Sequence, residues 1–316
     1  MPRASIDLGS NSVLLLVVDD DGVTVVDATR VARLGRGLGE RGFLQADRMD
    51  AAVEALADYA VVAQAHGVPP PEVRVAGTSA MRRALNAAAF RERVRAETGL
   101  EIRVISGEDE ARLTALGALQ GLDLPAGPLV LGDPGGGSTE ILEVHHRTGR
   151  APEVRTARSL EVGTVRITEA CLAEEPLKPA AVARARERVA AAFAHVHLEP
   201  RPLDVVAVAG TATALASAEA GQSTYDGGAL HGAVLRLDRL AAWVDLLRGT
   251  SPAGRRALVP ATPDYADTLL AGTLILERFL LTARRTRLTV SARGLRYGLL
   301  AGSTGRREPH AGKESG

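Results

Sequence analysis

The same short unit occurs twice in this chain: a strand, a glycine turn that begins with an aspartate, and a second strand. The first turn lies at residues 7–12 (DLGSNS) and the second at residues 133–138 (DPGGGS). Each follows an apolar run and precedes β-prone residues. A glycine turn lets backbone N–H groups approach an anion with no Cβ atom in the way. Two such turns facing each other predict a phosphate clamp between two related domains, in which the aspartates hold a cation or a water.

The length of the chain indicates two domains. A chain of 316 residues exceeds one ordinary core, and its contents of 46% hydrophobic and 24% charged residues are typical of a globular protein. The best boundary is the segment 121–127, which contains Gly121, Pro125 and Gly127. We therefore predict one domain over residues 1–125, a second over residues 126–302, and a polar, disordered tail over residues 303–316.

Composition excludes several classes of partner. Lys+Arg and Asp+Glu both number 38, so the overall field does not attract a polyanion, and any phosphate binding requires local groups of arginines. No nucleic-acid partner is expected. We find no apolar run of membrane-spanning length and no signal-peptide pattern at the start of the chain. The single cysteine, Cys171, suits a reducing compartment, so a cytoplasmic location is expected.

Hydrophobic patterning predicts an α/β fold in both halves of the chain. Strands are predicted near residues 3–8, 12–19, 22–29, 72–76, 101–105, 128–132, 139–145, 153–159, 203–209 and 287–291. Helices are predicted near 47–66, 79–98, 106–120, 163–173, 180–197, after Thr211, and near 238–248, 264–283 and 294–301. The first long helix has an apolar stripe formed by Ala52, Val53, Leu56, Tyr59, Ala60 and Ala63. Ser106 with Asp109 three residues later is typical of a helix N-cap.

Further motifs accompany the two turns in a fixed order. They are Gly77-Thr78-Ser79-Ala80-Met81-Arg82, Ala84-Leu85-Asn86, Ile105-Ser106-Gly107-Glu108-Asp109-Glu110-Ala111-Arg112-Leu113, Gly163-Thr164-Val165-Arg166, Ala209-Gly210-Thr211 and Gly294-Leu295-Arg296. On these residues the chain resembles the exopolyphosphatase / guanosine pentaphosphate phosphatase family, within the superfamily of actin, sugar kinases and Hsp70. The resemblance implies two ribonuclease H-like domains with an interdomain cleft, in the compact two-domain form. Pro134 and Tyr297 depart from the family pattern, which usually has an aliphatic and commonly an acidic residue there.

The resemblance also implies catalytic residues. Glu110, directly before Ala-Arg-Leu, matches the family's catalytic glutamate, and Arg82 matches a phosphoryl clamp. Glu110 lies in the first turn of a predicted helix, where the dipole favours a carboxylate, while Glu108 and Asp109 beside it raise its proton affinity. The alternative is that this acidic triplet only decorates a helix N-terminus.

The aspartates that begin the two turns are candidate ligands of Mg²⁺, with Mn²⁺ as an alternative ion. Asp7 and Asp133 occupy matching positions, and Mg²⁺ prefers oxygen ligands and keeps several waters. Glu140, just beyond the second turn, is predicted to help hold the metal or the attacking water. The alternative is that both aspartates only cap their turns.

Phosphate binding is predicted for the turns themselves and for one further loop. The predicted residues are Gly9, Ser10, Asn11 and Ser12 on one side, Gly135, Gly136, Gly137 and Ser138 on the other, and Gly210 with Thr211. The last pair follows a strand, so it either lines the cleft or forms a simple strand-to-helix turn. Four arginines are candidates for contacts to an extended polyanion, although a surface role is expected for any single one: Arg36, Arg166, Arg293 and Arg296.

Four functions are compatible with these residues. The leading one is Mg²⁺-dependent release of terminal orthophosphate from inorganic polyphosphate. The second is hydrolysis of the 5′ γ-phosphate of guanosine pentaphosphate (pppGpp), which needs a purine pocket, and only 3% of the residues are aromatic. An ATP-dependent kinase of the same superfamily and a non-catalytic polyphosphate sensor are less favoured, because the Glu110 motif indicates attack by water. A homodimer is expected from the resemblance alone.

Overall fold

The structure, a computed structural model, describes residues 1–198, 204–208 and 210–301, apart from the side chain of Glu40. A five-stranded sheet forms the first half. Its strands are β1 (Arg3–Leu8), β2 (Ser12–Val18), β3 (Thr24–Val31), β4 (Arg74–Gly77) and β5 (Ile102–Val104). Their order is β3-β2-β1-β4-β5, in which β1 pairs antiparallel with β2 and parallel with β4.

The first half also contains helices. They are α1 (Leu38–Arg41), α2 (Ala46–Ala65), α3 (Ser79–Arg83), α4 (Ala87–Thr98) and α5 (Gly107–Ala118), with a short 3-10 turn at Pro70–Glu72. The apolar stripe predicted for α2 is buried, which confirms that helix and its face. The helical segments predicted near 79–98 are α3 and α4, and between them the side chain of Asn86 pairs with both backbone groups of Leu44 (2.9 and 3.0 Å).

A six-stranded sheet forms the second half. Its strands are β6 (Gly127–Pro134), β7 (Thr139–His146), β8 (Glu153–Leu160), β9 (Asp204–Ala207), β10 (Val234–Arg236) and β11 (Arg287–Val290). The order is β10-β11-β9-β6-β7-β8. Setting aside the edge strand β10, an antiparallel three-stranded meander followed by two parallel strands repeats the arrangement of the first sheet. This repeat confirms the predicted α/β fold of two ribonuclease H-like domains.

The helices of the second half differ from the predictions mainly in their ends. They are α6 (Thr164–Cys171), α7 (Pro179–Ala192), α8 (Gly210–Glu219), α9 (Gly227–Leu230), α10 (Leu237–Gly249), α11 (Pro252–Leu258), α12 (Ala266–Ala283) and α13 (Leu295–Ala301). The helix predicted to reach residue 197 ends at Ala192. The elements α1, α9, α11 and β10 were not predicted, since each is too short to show a hydrophobic period.

Some predictions concern residues beyond this description. The two ends of the strand predicted at 203–209, and the tail predicted at 303–316, lie outside the described residues. Among the residues that are described, we find no helix long and apolar enough to cross a membrane.

Two helices connect the halves. Side chains of α5 lie in one buried cluster with those of β6 and β7, whereas α13 contacts α5 and β1. The contact between α5 and α13 requires glycine: a Cβ atom on Gly117 would lie 2.1 Å from the Gly294 oxygen, and one on Gly298 would lie 1.9 Å from the Leu113 oxygen. Ser5 Oγ also donates to the Arg296 oxygen at 2.7 Å. The boundary after residue 125 stays a prediction.

Candidate active site

A cleft of about 520 Å³ lies where the two sheets face each other. Its wall includes the four predicted carboxylates, Asp7, Glu110, Asp133 and Glu140. It also includes every residue predicted to bind phosphate, namely Gly9, Ser10, Asn11, Ser12, Gly135, Gly136, Gly137, Ser138, Gly210 and Thr211. Arg82 does not line the wall but reaches it through Glu110, to which it is hydrogen-bonded. The predicted site residues therefore come together in one place.

Strand register places the aspartates at the cleft. In the first hairpin Asp7 is paired with Leu14, and in the second Asp133 is paired with Glu140. Both pairs lie one step before the residues that close the turn, so the carboxylates stand at the base of each loop. We call residues 9–12 loop 1 and residues 135–138 loop 2.

The carbonyl groups of loop 1 are bound by the segment that follows β3. The Ser10 oxygen accepts from the Gly35 N–H at 2.7 Å, and the Asn11 oxygen accepts from the Arg33 N–H at 2.8 Å. Within the described part of the chain, the N–H groups of Ser10 and Asn11 have no acceptor. These amides are therefore available to an anion.

The carbonyl groups of loop 2 are also bound within the protein, but by the start of α6. The carbonyl oxygens of Gly135 and Gly136 accept from the N–H groups of Thr164 (2.9 Å) and Val165 (3.0 Å) at the start of α6. The N–H groups of Gly136, Gly137 and Ser138 find no acceptor among the residues that the structure describes. In both loops, carbonyl groups are therefore paired within the protein, while these amides have no acceptor among the described residues.

None of the glycines of loop 2 has a positive φ, so a left-handed backbone does not require glycine there, and at Gly136 the requirement comes from space. A Cβ atom on Gly136 would lie 3.0 Å from the Asn11 Cβ, and one on Gly163 would lie 2.4 Å from the Gly136 oxygen. Around Gly137 there is room, because the nearest atoms to an added Cβ are 3.7 Å and more away. Packing of the loops on each other accounts for Gly136 but not for Gly137.

Glu110 is held by Arg82. Ser106 caps α5 by accepting from the Asp109 N–H at 3.0 Å, as predicted, and this places Glu110 in the first turn. Arg82 Nη1 donates to Glu110 Oε2 at 2.6 Å and to the Ile105 oxygen at 3.1 Å. Burial raises the pKa of Glu110, and the Arg82 guanidinium opposes that rise. A partly buried base with a raised pKa suits proton transfer near neutral pH.

The four carboxylates affect one another. Burial raises the pKa of Asp7 to about 7, with a further contribution from Glu110 and an opposing one from Arg296. Burial and then the charges of Glu140, Glu110 and Asp7 raise the pKa of Asp133 well above its usual value. Such a collection of acids binds protons or a cation more readily than isolated carboxylates do.

Glu140 is fixed by hydroxyl groups. Ser138 Oγ and Ser159 Oγ both donate to its Oε1, at 2.7 and 2.8 Å. Oε2 has no donor among the described residues. Burial and then Glu110 raise the pKa of Glu140, while these two hydroxyl bonds lower it.

The residues present fit a divalent cation. Asp7 Oδ1 and Asn11 Oδ1 are buried without a hydrogen-bond partner among the described residues. The described part of the chain has no group of three or more acidic, histidine or cysteine ligands around one point. Mg²⁺ suits this arrangement, since it is commonly held by one or two carboxylates together with waters and substrate phosphates.

Gly210 and Thr211 lie on the wall and also begin α8, so both alternatives for them have support. Gly210 makes room for Tyr265, whose ring carbon Cε1 would lie 2.0 Å from an added Cβ. Thr211 is buried against Gly272, where an added Cβ would lie 2.1 Å from its Oγ1.

The wall also includes residues outside the motifs, among them Asp27, Tyr225 and Tyr265, together with Arg296 from the motif Gly294-Leu295-Arg296. Arg296 Nη2 donates to both carboxylate oxygens of Asp27, at 2.7 and 2.9 Å, and the side chain is only 8% exposed. The surface role expected for Arg296 is therefore wrong, because its partner comes from a distant strand. Tyr265 Oη is 3.4 Å from Ser12 Oγ and so contacts loop 1. In the sequence, an aspartate inside the apolar run Val25-Val26-Asp27-Ala28 is the signal that could have indicated a buried, paired carboxylate at this place.

Two ribonuclease H-like halves with facing, amide-presenting loops and a carboxylate on the connecting helix define an actin-like enzyme of phosphoryl transfer. The profile of the Ppx/GppA phosphatase family matches residues 16–307. The chain belongs to this family, which confirms the resemblance seen in the sequence.

Individual relatives agree. Exopolyphosphatase 2 of Mycobacterium tuberculosis is 32% identical over 289 residues, covering 87% of this chain and 88% of the relative. The crystal structure of the Aquifex aeolicus Ppx/GppA family member is 33% identical, covers 96% of this chain and 97% of its own, and has a TM-score of 0.75. An exopolyphosphatase-like protein of known structure is 27% identical, with coverage of 95% and 98% and a TM-score of 0.83.

Proposed function

We propose that this protein is an exopolyphosphatase that releases terminal orthophosphate from inorganic polyphosphate by attack of water. The observation that carries the proposal is Glu110, held at 2.6 Å by Arg82 on the wall of the cleft that loops 1 and 2 also line. The similarity to exopolyphosphatase 2 of M. tuberculosis supports the choice of substrate.

The terminal phosphoryl group would bind between the two loops. Unpaired amides of loop 1 and loop 2 would donate to its oxygens from both sides, which stabilises the charge that develops during transfer. Glu110 would orient a water in line with the anhydride bond and accept its proton, and Arg82 would keep the carboxylate in position. The leaving polyphosphate departs with its terminal oxygen anionic.

A divalent cation, which we propose is Mg²⁺ and could also be Mn²⁺, would be held by Asp7 and Asp133, with Glu140 close by. When bound, it would neutralise charge on the phosphate oxygens. Loss of this ion would leave the acidic wall facing an anionic substrate, so binding would weaken.

Phosphate release from four substrates tests the proposal. Long-chain polyphosphate, tripolyphosphate, guanosine pentaphosphate and ATP are compared with Mg²⁺ and with chelator. Polyphosphate should be the best substrate, and chelator should abolish release. Glu110→Gln should lower kcat by roughly 10²- to 10⁴-fold, while Glu108→Gln, an exposed neighbour, should keep wild-type activity. A preference for guanosine pentaphosphate would replace the proposal, and ATP turnover that needs an acceptor would indicate a kinase.

We also propose a cytoplasmic location and a homodimer. The single cysteine supports the first, and the family resemblance supports the second. Analytical ultracentrifugation of the full chain tests the dimer directly.

A further inference from the structure

A second cleft, of about 430 Å³, adjoins the first one. The two clefts share three wall residues, Ser10, Gly136 and Gly137, which lie at the tips of loops 1 and 2. The loop tips therefore form a boundary between the place predicted for a terminal phosphate and the second cleft.

Four arginines from four separate segments line the second cleft. Arg36 lies between β3 and α1, Arg83 ends α3, and Arg166 and Arg188 belong to α6 and α7. The acidic residue among the described wall residues is Glu169. A concave surface with an excess of one charge sign concentrates the field, although the whole chain has equal numbers of acidic and basic residues.

Part of this charge is not used within the protein. Arg36 Nε is 3.9 Å from Glu169, and Arg166 Nη1 is 3.2 Å from Glu161. In the part of the chain that the structure describes, neither Arg83 nor Arg188 has an ion-pair partner. Guanidinium groups in this state suit phosphate oxygens, which they can bind with two parallel hydrogen bonds.

Arg83 connects the second cleft to the catalytic residues. It follows Arg82 directly, and Arg82 binds Glu110 in the first cleft. Arg83 Nη1 lies 3.8 Å from the position that a Cβ on Gly137 would take. Helix α3 therefore supplies one guanidinium group to the base and the next to the tip of loop 2.

We propose that the second cleft binds the internal phosphates of a polyphosphate chain whose terminal phosphate lies in the first cleft. This inference rests on the proposed function and adds a basis for chain-length preference. A chain that extends past Gly137 gains contacts to Arg83, Arg188, Arg36 and Arg166. A triphosphate is too short to use all of them.

The test uses the double variant Arg83→Ala/Arg188→Ala. Its matched control is Arg150→Ala/Arg287→Ala, which removes the same charge from two exposed arginines that line neither cleft, one between β7 and β8 and one at the start of β11. Binding of long-chain polyphosphate is measured by calorimetry in the Glu110→Gln background, at several salt concentrations. KM values for long-chain polyphosphate and tripolyphosphate are then measured with Glu110 intact.

The double variant should bind long chains roughly 100-fold more weakly, about tenfold for each lost guanidinium contact. The slope of log K against log salt should shrink by roughly 1.5, because fewer counterions are released. KM should rise much more for long chains than for tripolyphosphate, and the control should match the parent protein.

Two results would overturn the inference: unchanged binding and salt slope in the double variant, or equal losses for long and short substrates. Its failure is separable from that of the proposed function. Absence of polyphosphate hydrolysis in the wild type, with arginine-dependent binding retained in Glu110→Gln, would contradict the activity and support the binding site.

Discussion

Loop 1 and loop 2 occupy the same place in two sheets of the same strand order, yet they carry different chemistry. Opposite the aspartate, the first hairpin has Leu14 and the second has Glu140. Loop 1 has side chains at its tip, Ser10 and Asn11, whereas loop 2 has glycines. The duplication therefore repeats the scaffold and the free amides, while a carboxylate fixed by two hydroxyls belongs to the second half alone.

The largest expected effect is a difference in kcat between substitution of Glu140 and substitution of Leu14. Glu140→Ala removes a carboxylate from the acidic wall and should lower kcat for polyphosphate by roughly 100-fold or more. Leu14→Ala, at the matching position, should change kcat only a few-fold. Steady-state phosphate release measures both, and circular dichroism checks the fold. Equal losses in the two variants would contradict the asymmetry.

The next effect concerns stability. Gly136→Ala places a Cβ 3.0 Å from Asn11 and should destabilise the protein by about 1–3 kcal/mol, as overpacking usually does. Gly137→Ala has open space and should cost less than about 0.5 kcal/mol. Denaturant unfolding compares the two. A destabilised Gly137 variant would mean that both glycines serve packing.

Metal binding should depend on pH. Since the pKa of Asp7 is raised to about 7 in the folded protein, the folded state binds a proton more tightly than the unfolded state. The free energy of unfolding of the metal-free protein should therefore fall as the pH rises from the pKa of Asp7 in the unfolded chain to its pKa of about 7 in the folded protein. Mg²⁺ at about 100 times its Kd should add about 2.7 kcal/mol, and its effect on Tm should be larger near pH 8 than near pH 6.

A matched variant sharpens this test. Asp7→Asn removes the titrating carboxyl and should flatten both the pH dependence and the response to Mg²⁺. An unchanged response to Mg²⁺ would place the ion on the second hairpin only.

The smallest expected effect is a change in KM caused by substitution of Gly137. Gly137→Ala should fold normally but raise KM for polyphosphate by about tenfold, since its Cβ would stand where a phosphate approaches the amides. Gly107→Ala is the control, because an added Cβ on Gly107 meets no atom within 4 Å. Gly149 is exposed but has a positive φ, so its substitution would strain the backbone and cannot serve as a control. Unaltered kinetics for Gly137→Ala would mean that no ligand approaches this residue.

Local patterns predicted what is local. The two hairpins, the buried face of α2 and the Ser106 cap all depend on neighbouring residues, and the structure confirms them. The ordered motifs also contain the four carboxylates and both loops that the structure places in one cleft. The pair Arg296–Asp27, the contact of Tyr265 with loop 1 and the second cleft depend on residues far apart in the chain. Hydrophobic periodicity does not reveal such contacts. Of the arginines in the second cleft, the sequence indicated Arg36 and Arg166 as candidates but not Arg83 and Arg188.

The docking of α13 on β1 and α5 has a consequence for how the protein is made. Arg296, in residues 295–301, pairs with Asp27, which is synthesised long before it. The first half lacks these contacts until residues 295–301 have been synthesised. A fragment that ends before Gly294 should therefore expose the apolar surfaces of β1 and α5 that α13 covers, and should become stable only when the missing helix is added as a peptide or fused by circular permutation.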